Sequence, residues 1–300
     1  MPDQHIPIML AEVLECLRPA PGEIAVDCTL GGGGHALAIL ERIQPHGRLI
    51  GLDMDPIELP RAEARLRTAG FGPGVCRVHQ ASFAELPRVL AVEQVTAADI
   101  IIADLGVSAM QHDDARRGFS YKVAGPLDMR MDPTRGETAS ELLARLDEAA
   151  LAATLTENAD EPHAPLIARV LKEKAPVTTN ALERVVRTSL NDAHPDLSKA
   201  QVKTSVRRTF QALRIAVNDE FTALDALLRS LPEALAAGGR VAVLTFHSGE
   251  DRRVKKAFQS GQRHGIFSAV ARQVVRSAKS ETFANRRAAA AKLRWAVRAR

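Results

Sequence analysis

The chain has 300 residues, which suits one large domain or one domain that carries a smaller one. Its 46% apolar residues suffice for a hydrophobic core, but no apolar run reaches the roughly 18 residues that a membrane-spanning helix needs. The start of the chain has no basic region before an apolar segment, so we expect no secretory signal. Because Cys16, Cys28 and Cys76 are odd in number and widely spaced, we expect reduced thiols and a cytoplasmic protein.

The first predicted unit is a strand, a glycine-rich turn and a helix. An apolar run at about 23–27 precedes four consecutive glycines at 31–34, and a helix-like stretch follows. Glycines let the backbone approach a ligand closely, and a helix start offers unpaired N–H groups. Asp53 ends a second apolar run about 20 residues later, where an acidic residue binds ribose hydroxyls. The unit predicts a site for a nucleoside-containing cofactor; a tight turn that only packs helix on strand is the alternative.

Two further strands lead to candidate site residues. A strand at about 75–79 is followed by Phe83, at the edge where ligands bind in open parallel sheets. The most strand-like run, 99–104, ends on Asp104. A carboxylate at the end of a buried central strand is the position where chemistry is expected in this fold class. The alternative is an aspartate that caps the following turn.

The alternation of strands and helices then stops. Residues 112–138 look like loops, and helical patterns dominate from Ser140 to about residue 190, with Ser140, Asp147 and Asn180 as candidate N-caps. We read 112–210 as a helical insertion, since it is too long for a loop.

Strand and helix signals return after the insertion. Apolar residues at 3–4 residue spacing from Phe210 to Leu231 predict one amphipathic helix, ended by the glycines at 238–239. Strands are predicted at about 240–246, 266–275 and 291–298. Residues 1–111 and 211–300 should therefore form one α/β, Rossmann-like doubly wound sheet.

Positive charge is concentrated at the end of the chain. The formal net charge is +4, yet residues 251–300 contain 14 lysines and arginines against two acids, whereas the first 250 residues have 26 against 34. A basic end on an acidic body favours a polyanionic partner, most simply nucleic acid; a solvated basic helix is the alternative.

Two classes of catalytic site find no support in the sequence. No cluster of cysteines and histidines has metal-ligand spacing, and neither Ser108 nor Ser248 lies in a Gly-x-Ser-x-Gly turn. We therefore expect neither a metal site nor hydrolase chemistry.

A series of motifs resembles one family, the bacterial 16S ribosomal RNA cytosine-N4 methyltransferases (RsmH/MraW). In chain order they are HIPIML from residue 5, DCTLGGGGH at 27–35, DMDP at 53–56, DLGVS at 104–108, RGFS at 117–120, GPLDMRMDP at 125–133, RTFQALRI at 208–215 and FHS at 246–248. The chain departs from the family pattern at Ala109-Met110, at Gly249 and at Asn285-Arg286. These departures concern RNA docking more than cofactor use.

The resemblance implies a class I methyltransferase sheet with a helical substrate-recognition insert. It implies that S-adenosylmethionine is the cofactor and that a cytosine in the decoding region of 16S rRNA is methylated, within the small ribosomal subunit. Neither DNA nor a membrane is expected as a partner. The cofactor contacts that it implies are Gly33, Gly34, His35, Asp53, Phe83, Asp104 and Gln111.

Asp104 is the predicted catalytic residue, because it ends the strand where cofactor and cytosine should meet. A second set, predicted to bind RNA through phosphate contacts or base stacking, comprises Arg117, Phe119, Tyr121, Arg130, Arg208, Arg214 and His247. Two other functions are weighed against methylation: a non-catalytic RNA-binding assembly factor, and an NAD-dependent oxidoreductase on a similar sheet.

Overall fold

The computed structural model describes residues 7–300, so the first two residues of the motif that begins at His5 lie outside it. The described chain forms two compact units. One comprises the residues up to Gly106 together with Thr222–Arg300, and the other is Val107–Phe221. The predicted roles of these parts, a methyltransferase domain split by a substrate-recognition insert at 112–210, stay predictions, since compactness shows no role.

A seven-stranded sheet forms the centre of the first unit. Its strands are β1 Ile24–Asp27, β2 Arg48–Asp53, β3 Cys76–Gln80, β4 Ala98–Asp104, β5 Leu235–Thr245, β6 Phe267–Val270 and β7 Lys292–Arg298. Their order is β3-β2-β1-β4-β5-β7-β6, and β7 runs antiparallel to both of its neighbours while the other pairs are parallel. The predicted doubly wound α/β class is confirmed.

Thirteen α-helices occur within residues 7–300. They are α1 Leu10–Leu17, α2 Gly34–Ile43, α3 Glu58–Thr68, α4 Leu86–Val92, α5 Ala109–Asp113, α6 Ala139–Arg145, α7 Glu148–Ala159, α8 Ala164–Lys174, α9 Thr179–Ala193, α10 Lys199–Asn218, α11 Glu220–Ala234, α12 Ser248–Arg263 and α13 Lys279–Ala284. In this part of the chain, none combines the length and apolar composition that crossing a bilayer requires.

Both faces of the sheet are covered by apolar side chains. In β4, Ile100 and Ile102 belong to one core and Ile101 and Ala103 to the other, as the alternation of side chains along a strand requires. All four are fully buried. Each buried isoleucine stabilises the fold by about 1.5–3 kcal/mol. The strand that ends at Asp104 is therefore stably packed.

The prediction of one helix from Phe210 to Leu231 was wrong. The chain leaves helical geometry at Asp219, which has a φ of +49°, so that α10 ends and α11 begins. Apolar spacing continues across this break, which is why periodicity alone did not reveal it. Helix α11 ends at Ala234, and the glycines at 238–239 lie within β5.

The second unit is a helical bundle built mainly from α7 to α10. Leu155, Ile167, Val186 and Leu213 are fully buried there. Oε1 of buried Glu161 accepts hydrogen bonds of 2.9 Å from the hydroxyl of Ser205 and of 3.0 Å from the N–H of His163.

Helix starts in this unit follow capping chemistry. Asp147 caps α7, as predicted. The predicted caps at Ser140 and Asn180 were wrong, because Thr138 caps α6 and Thr178 caps α9. Thr138 rather than Ser140 is the N-cap because the residue three positions after it is Glu141, whose carboxylate completes a capping box.

Candidate functional site

Three aspartates end neighbouring strands at the carboxyl edge of the sheet. Asp27 ends β1, Asp53 ends β2 and Asp104 ends β4. Strand order reverses between β1 and β4, and ligands of open parallel sheets bind outside the carboxyl ends of strands at such a point. The sequence therefore places acidic side chains where this fold leaves room for a ligand.

The glycine-rich turn follows β1 and is fastened to the end of β2. Gly31 and Gly33 have positive φ values of +49° and +74°, which side chains with a Cβ rarely adopt. The N–H of Gly31 donates a hydrogen bond of 2.7 Å to Oδ2 of Asp53. A side chain at Gly34 would be crowded for another reason, since a Cβ there would lie 3.0 Å from Cγ of Pro7.

Asp53 is half-buried and uses both carboxylate oxygens locally. Oδ2 accepts from Gly31, and Oδ1 accepts from the N–H of Asp55 at 2.9 Å. Burial raises its pKa above the usual range, and the charges of Asp55 and Glu58 raise it further. Because each carboxylate oxygen can accept more than one hydrogen bond, Asp53 can still bind the hydroxyls of a ribose.

Asp104 has one carboxylate oxygen that lacks a partner. Within residues 7–300, nothing donates a hydrogen bond to its buried Oδ1. Its backbone N–H donates to Oγ1 of Thr29 at 2.6 Å, which fixes the end of β4 against the loop after β1. Burial raises the pKa of Asp104 to about 8, and the charges of Asp27 and then Glu250 contribute. A carboxyl group of this pKa can accept or hold a proton near neutral pH.

His35 lies between Asp104 and the N-terminal segment. Its ring is buried, with Nε2 3.0 Å from the carbonyl oxygen of Ile8 and Nδ1 3.8 Å from Oδ2 of Asp104. Because a carbonyl oxygen can only accept, Nε2 carries a proton, and in the neutral ring Nδ1 then presents a lone pair towards Asp104. The structure thus brings together His35 and Asp104, two of the predicted cofactor contacts.

Phe83 and His247 follow β3 and β5 at the same edge of the sheet. Phe83 is in a short turn that Ser82 and Glu85 close with a capping box, and its ring is partly buried against the core. His247 is the N-cap of α12, where Nδ1 accepts from the N–H of Glu250 at 3.4 Å. Capping thus accounts for the position of His247, and its predicted contact with RNA stays a prediction.

Gln111, Arg117 and Phe119 belong to the helical unit and are all buried. Gln111 closes the capping box of α5 by accepting from the N–H of Ser108 at 2.9 Å. Arg117 donates to the carbonyl oxygens of Arg130 and Met131, and its guanidinium lies 5.9 Å from the Phe119 ring centroid. These contacts organise the loop around the GPLDMRMDP motif.

The remaining predicted RNA contacts are three arginines, of which two are paired with acids, and one tyrosine. Arg130 forms a two-pronged pair with Asp128, and Arg214 forms one with buried Glu220, all at 2.8 Å. The half-buried side chain of Arg208, by contrast, makes no hydrogen bond or ion pair with any residue that the structure describes. Tyr121 is half-buried against Phe210, with ring centroids 5.2 Å apart.

Asp27 and Thr29 belong to the DCTLGGGGH motif, but neither is among the predicted site residues. Asp27 is buried, its Oδ1 accepts from the N–H of Thr29 at 3.1 Å, and burial raises its pKa to about 7. The signal was present, because Asp27 ends an apolar strand in the same way as Asp104 does.

Comparison with known proteins gives matches along nearly the whole chain. The family model described as the MraW methylase family matches residues 3–299. The chain is similar to "Ribosomal RNA small subunit methyltransferase H 1" of Lachnoclostridium phytofermentans, at 43% identity over 98% of this chain and 81% of that protein. It is equally similar to "Ribosomal RNA small subunit methyltransferase H 2" of Alkaliphilus metalliredigens, at 43% identity over 98% and 85%. A third relative, "Ribosomal RNA small subunit methyltransferase H" of Myxococcus xanthus, is 43% identical over 97% and 96%.

Proposed function

This chain belongs to the MraW methylase family, and we propose that it methylates the exocyclic N4 amine of a cytosine in the decoding region of 16S rRNA, with S-adenosylmethionine as methyl donor. The observation that carries the proposal is the pair of carboxylates at the ends of β2 and β4. Asp53 is fastened to a glycine turn, and Asp104 has a buried oxygen without a partner in the described chain.

The residues at the carboxyl edge of the sheet fit this cofactor. Asp53 would accept hydrogen bonds from the ribose hydroxyls, while the glycines at 31–34 would let the backbone of the turn approach the cofactor closely. Phe83 offers an apolar surface for the adenine. S-adenosylmethionine supplies a methyl group on a positively charged sulfur, and carboxylates favour a positive charge nearby. His35 and Gln111 complete the proposed cofactor contacts, together with Gly33 and Gly34.

Asp104 is proposed as the catalytic group. The amine of cytosine is a poor nucleophile because its lone pair is delocalised into the ring. A carboxylate that accepts an N–H hydrogen bond orients the amine and receives its proton as the bond to the methyl group forms. Oδ1 of Asp104 has no other partner in the described chain and a pKa near neutrality, so it can take up this proton.

The helical unit is proposed to bind the RNA. Arg208 supports this role best among the predicted arginines, because no described acid neutralises its charge. Tyr121 offers a partly exposed ring on which a base taken out of its stack can lie. The names of the relatives lead us to propose 16S rRNA within the small subunit as the substrate, and hence a place of action in the cytoplasm.

Nucleoside mass spectrometry tests the proposed function. Small-subunit rRNA from cells without this gene should lack one N4-methylated cytidine, and the gene should restore it. An unchanged nucleoside profile would contradict the proposal. Calorimetry with S-adenosylmethionine and with NAD separates methyl transfer from the oxidoreductase alternative, since only the first should bind.

A further inference from the structure

The segment between β6 and β7 presents unmatched positive charge. We call residues 272–290 the basic arm. Arg272, Arg276, Lys279 and Arg286 are exposed there, and none of their side chains makes an ion pair or hydrogen bond with a residue in the described part of the chain. The arm therefore keeps several solvated cations on one short segment.

Both acids in residues 251–300 already have partners within the protein. Asp251 is paired with Arg294 at 2.6 Å and with Lys292 at 3.2 Å. Glu281, the one acid within the arm, accepts a hydrogen bond of 2.7 Å from the N–H of Met9. Because these carboxylates have partners, the positive charge of the arm is available to an anionic ligand.

Phe283 projects from the arm into solvent. Its side chain is 93% exposed, the highest value among the exposed large apolar residues of the described chain. Exposing an aromatic ring costs free energy, and a ring between cations is how proteins bind unpaired bases, by stacking the base while cations hold the phosphates.

The arm is an ordered structure rather than a loose tail. Ser277 donates a hydrogen bond of 3.0 Å to the carbonyl oxygen of Ala288, and the side chain of Ala288 is buried in the core. Val275 forms a β-bridge with Leu293 of β7. These contacts attach the segments on either side of Phe283 to each other, to the core and to β7.

Hydrogen bonds connect the arm to the candidate site. Glu281 binds the N–H of Met9, and the carbonyl oxygen of the preceding residue, Ile8, faces Nε2 of His35. His35 in turn lies beside Asp104. The arm is thus joined through the N-terminal segment to the carboxyl edge of the sheet.

We propose that the basic arm is a second RNA-binding surface of this protein, on which Phe283 stacks on an unpaired base while Lys279 and Arg286 contact the flanking phosphates. The proposal deepens the proposed function, because it supplies the methyltransferase with a contact for the strand outside the reacting cytosine. A membrane fits less well, since a helix of six residues with one exposed apolar side chain lacks the broad apolar face of an interfacial helix.

Fluorescence anisotropy with a labelled single-stranded oligoribonucleotide tests stacking by Phe283. We expect Phe283→Leu to weaken binding about tenfold, which corresponds to a lost stacking contribution of about 1.4 kcal/mol, and Phe283→Trp to bind as tightly as the parent protein. Val92→Ala, at another exposed apolar residue, is the matched control and should leave binding unchanged. RNA binding by Phe283→Leu equal to that of the parent protein would overturn the proposal.

The salt dependence of binding tests the phosphate contacts. For single-stranded RNA, the slope of log affinity against log salt falls by about 0.7 for each lost phosphate contact, so the double variant Lys279→Gln/Arg286→Gln should reduce it by about 1.4. An unchanged slope, or binding of the parent protein to anionic phosphatidylserine vesicles but not to RNA, would contradict the proposal. Calorimetry with S-adenosylmethionine on the same variants separates a failure of the arm proposal from a failure of the proposed function. The variants should bind S-adenosylmethionine as the parent protein does. A parent protein that did not bind S-adenosylmethionine would count against the proposed function alone.

Discussion

Nδ1 of His35 lies 3.8 Å from Oδ2 of Asp104, while Nε2 of the same ring lies 3.0 Å from the carbonyl oxygen of Ile8. Oδ1 of the same carboxyl group has no hydrogen-bond partner among residues 7–300. Burial raises the pKa of Asp104 to about 8, and the charges of Asp27 and Glu250 contribute. Asp104 can therefore exchange a proton near neutral pH at the edge of the sheet where the methyl acceptor is proposed to bind.

Asp104 should make the stability of the protein depend on pH. Its pKa is higher in the folded state than in the unfolded chain, so the folded state binds the proton more tightly, and the free energy of unfolding falls as pH rises from about 4 to about 8. At pH 8, Asp104→Asn should be more stable than the parent protein by more than about 1.4 kcal/mol, the worth of one pKa unit. Urea unfolding at pH 5 and pH 8 measures this difference. Equal pH profiles of the two proteins would contradict it.

Gly33→Ala should destabilise the glycine turn through its backbone. Gly33 has a φ of +74°, whereas the nearest atoms to an added Cβ, in Leu66, are at 3.6 Å, an ordinary contact. The expected loss is about 1–2 kcal/mol in the free energy of unfolding. Gly74→Ala is the control, since its Cβ would meet nothing within 4 Å and its φ is not positive. Equal losses in the two variants would show that the turn tolerates a Cβ.

Asp53→Asn should weaken the binding of S-adenosylmethionine. Asparagine keeps one acceptor oxygen for Gly31 but loses the charge that strengthens hydrogen bonds to the ribose hydroxyls, each worth about 1.5–3 kcal/mol. We expect the Kd to rise at least about tenfold in calorimetry. Glu41→Gln on the exposed face of α2 removes the same charge and should leave the Kd unchanged. A Kd for Asp53→Asn like that of the control would exclude Asp53 from the cofactor site.

Alanine substitutions of Arg208 and Arg214 should have different effects, the first on RNA binding and the second on stability. Arg208→Ala should weaken RNA binding and lower its salt slope by about 0.7, while stability changes by less than about 0.5 kcal/mol, because Arg208 has no partner among residues 7–300. Arg214→Ala should lose about 3 kcal/mol of stability, since it leaves buried Glu220 without its partner. Salt-dependent anisotropy and urea unfolding distinguish the two. A reversed pattern would show that Arg208 is structural.

Much of the sheet could be predicted because its strands are short apolar runs that end on distinctive residues. The runs ending at Asp53 and Asp104 end there in the structure, and the glycine turn starts α2. The break at Asp219 could not be predicted, since aspartate in the left-handed region interrupts a helix without changing the apolar spacing. Within the predicted site, the sequence indicated the acids but not their coupling, since the link from Ile8 through His35 to Asp104 depends on how the N-terminal segment folds.

Transfer of a labelled methyl group from S-adenosylmethionine to unmethylated small ribosomal subunits tests the role of Asp104 most directly. The parent protein should label one cytosine per subunit at N4. Asp104→Ala should show a rate at least about 100-fold lower, the usual contribution of a positioned proton acceptor, with the subunits still bound. Labelling by Asp104→Ala at the rate of the parent protein would contradict the account.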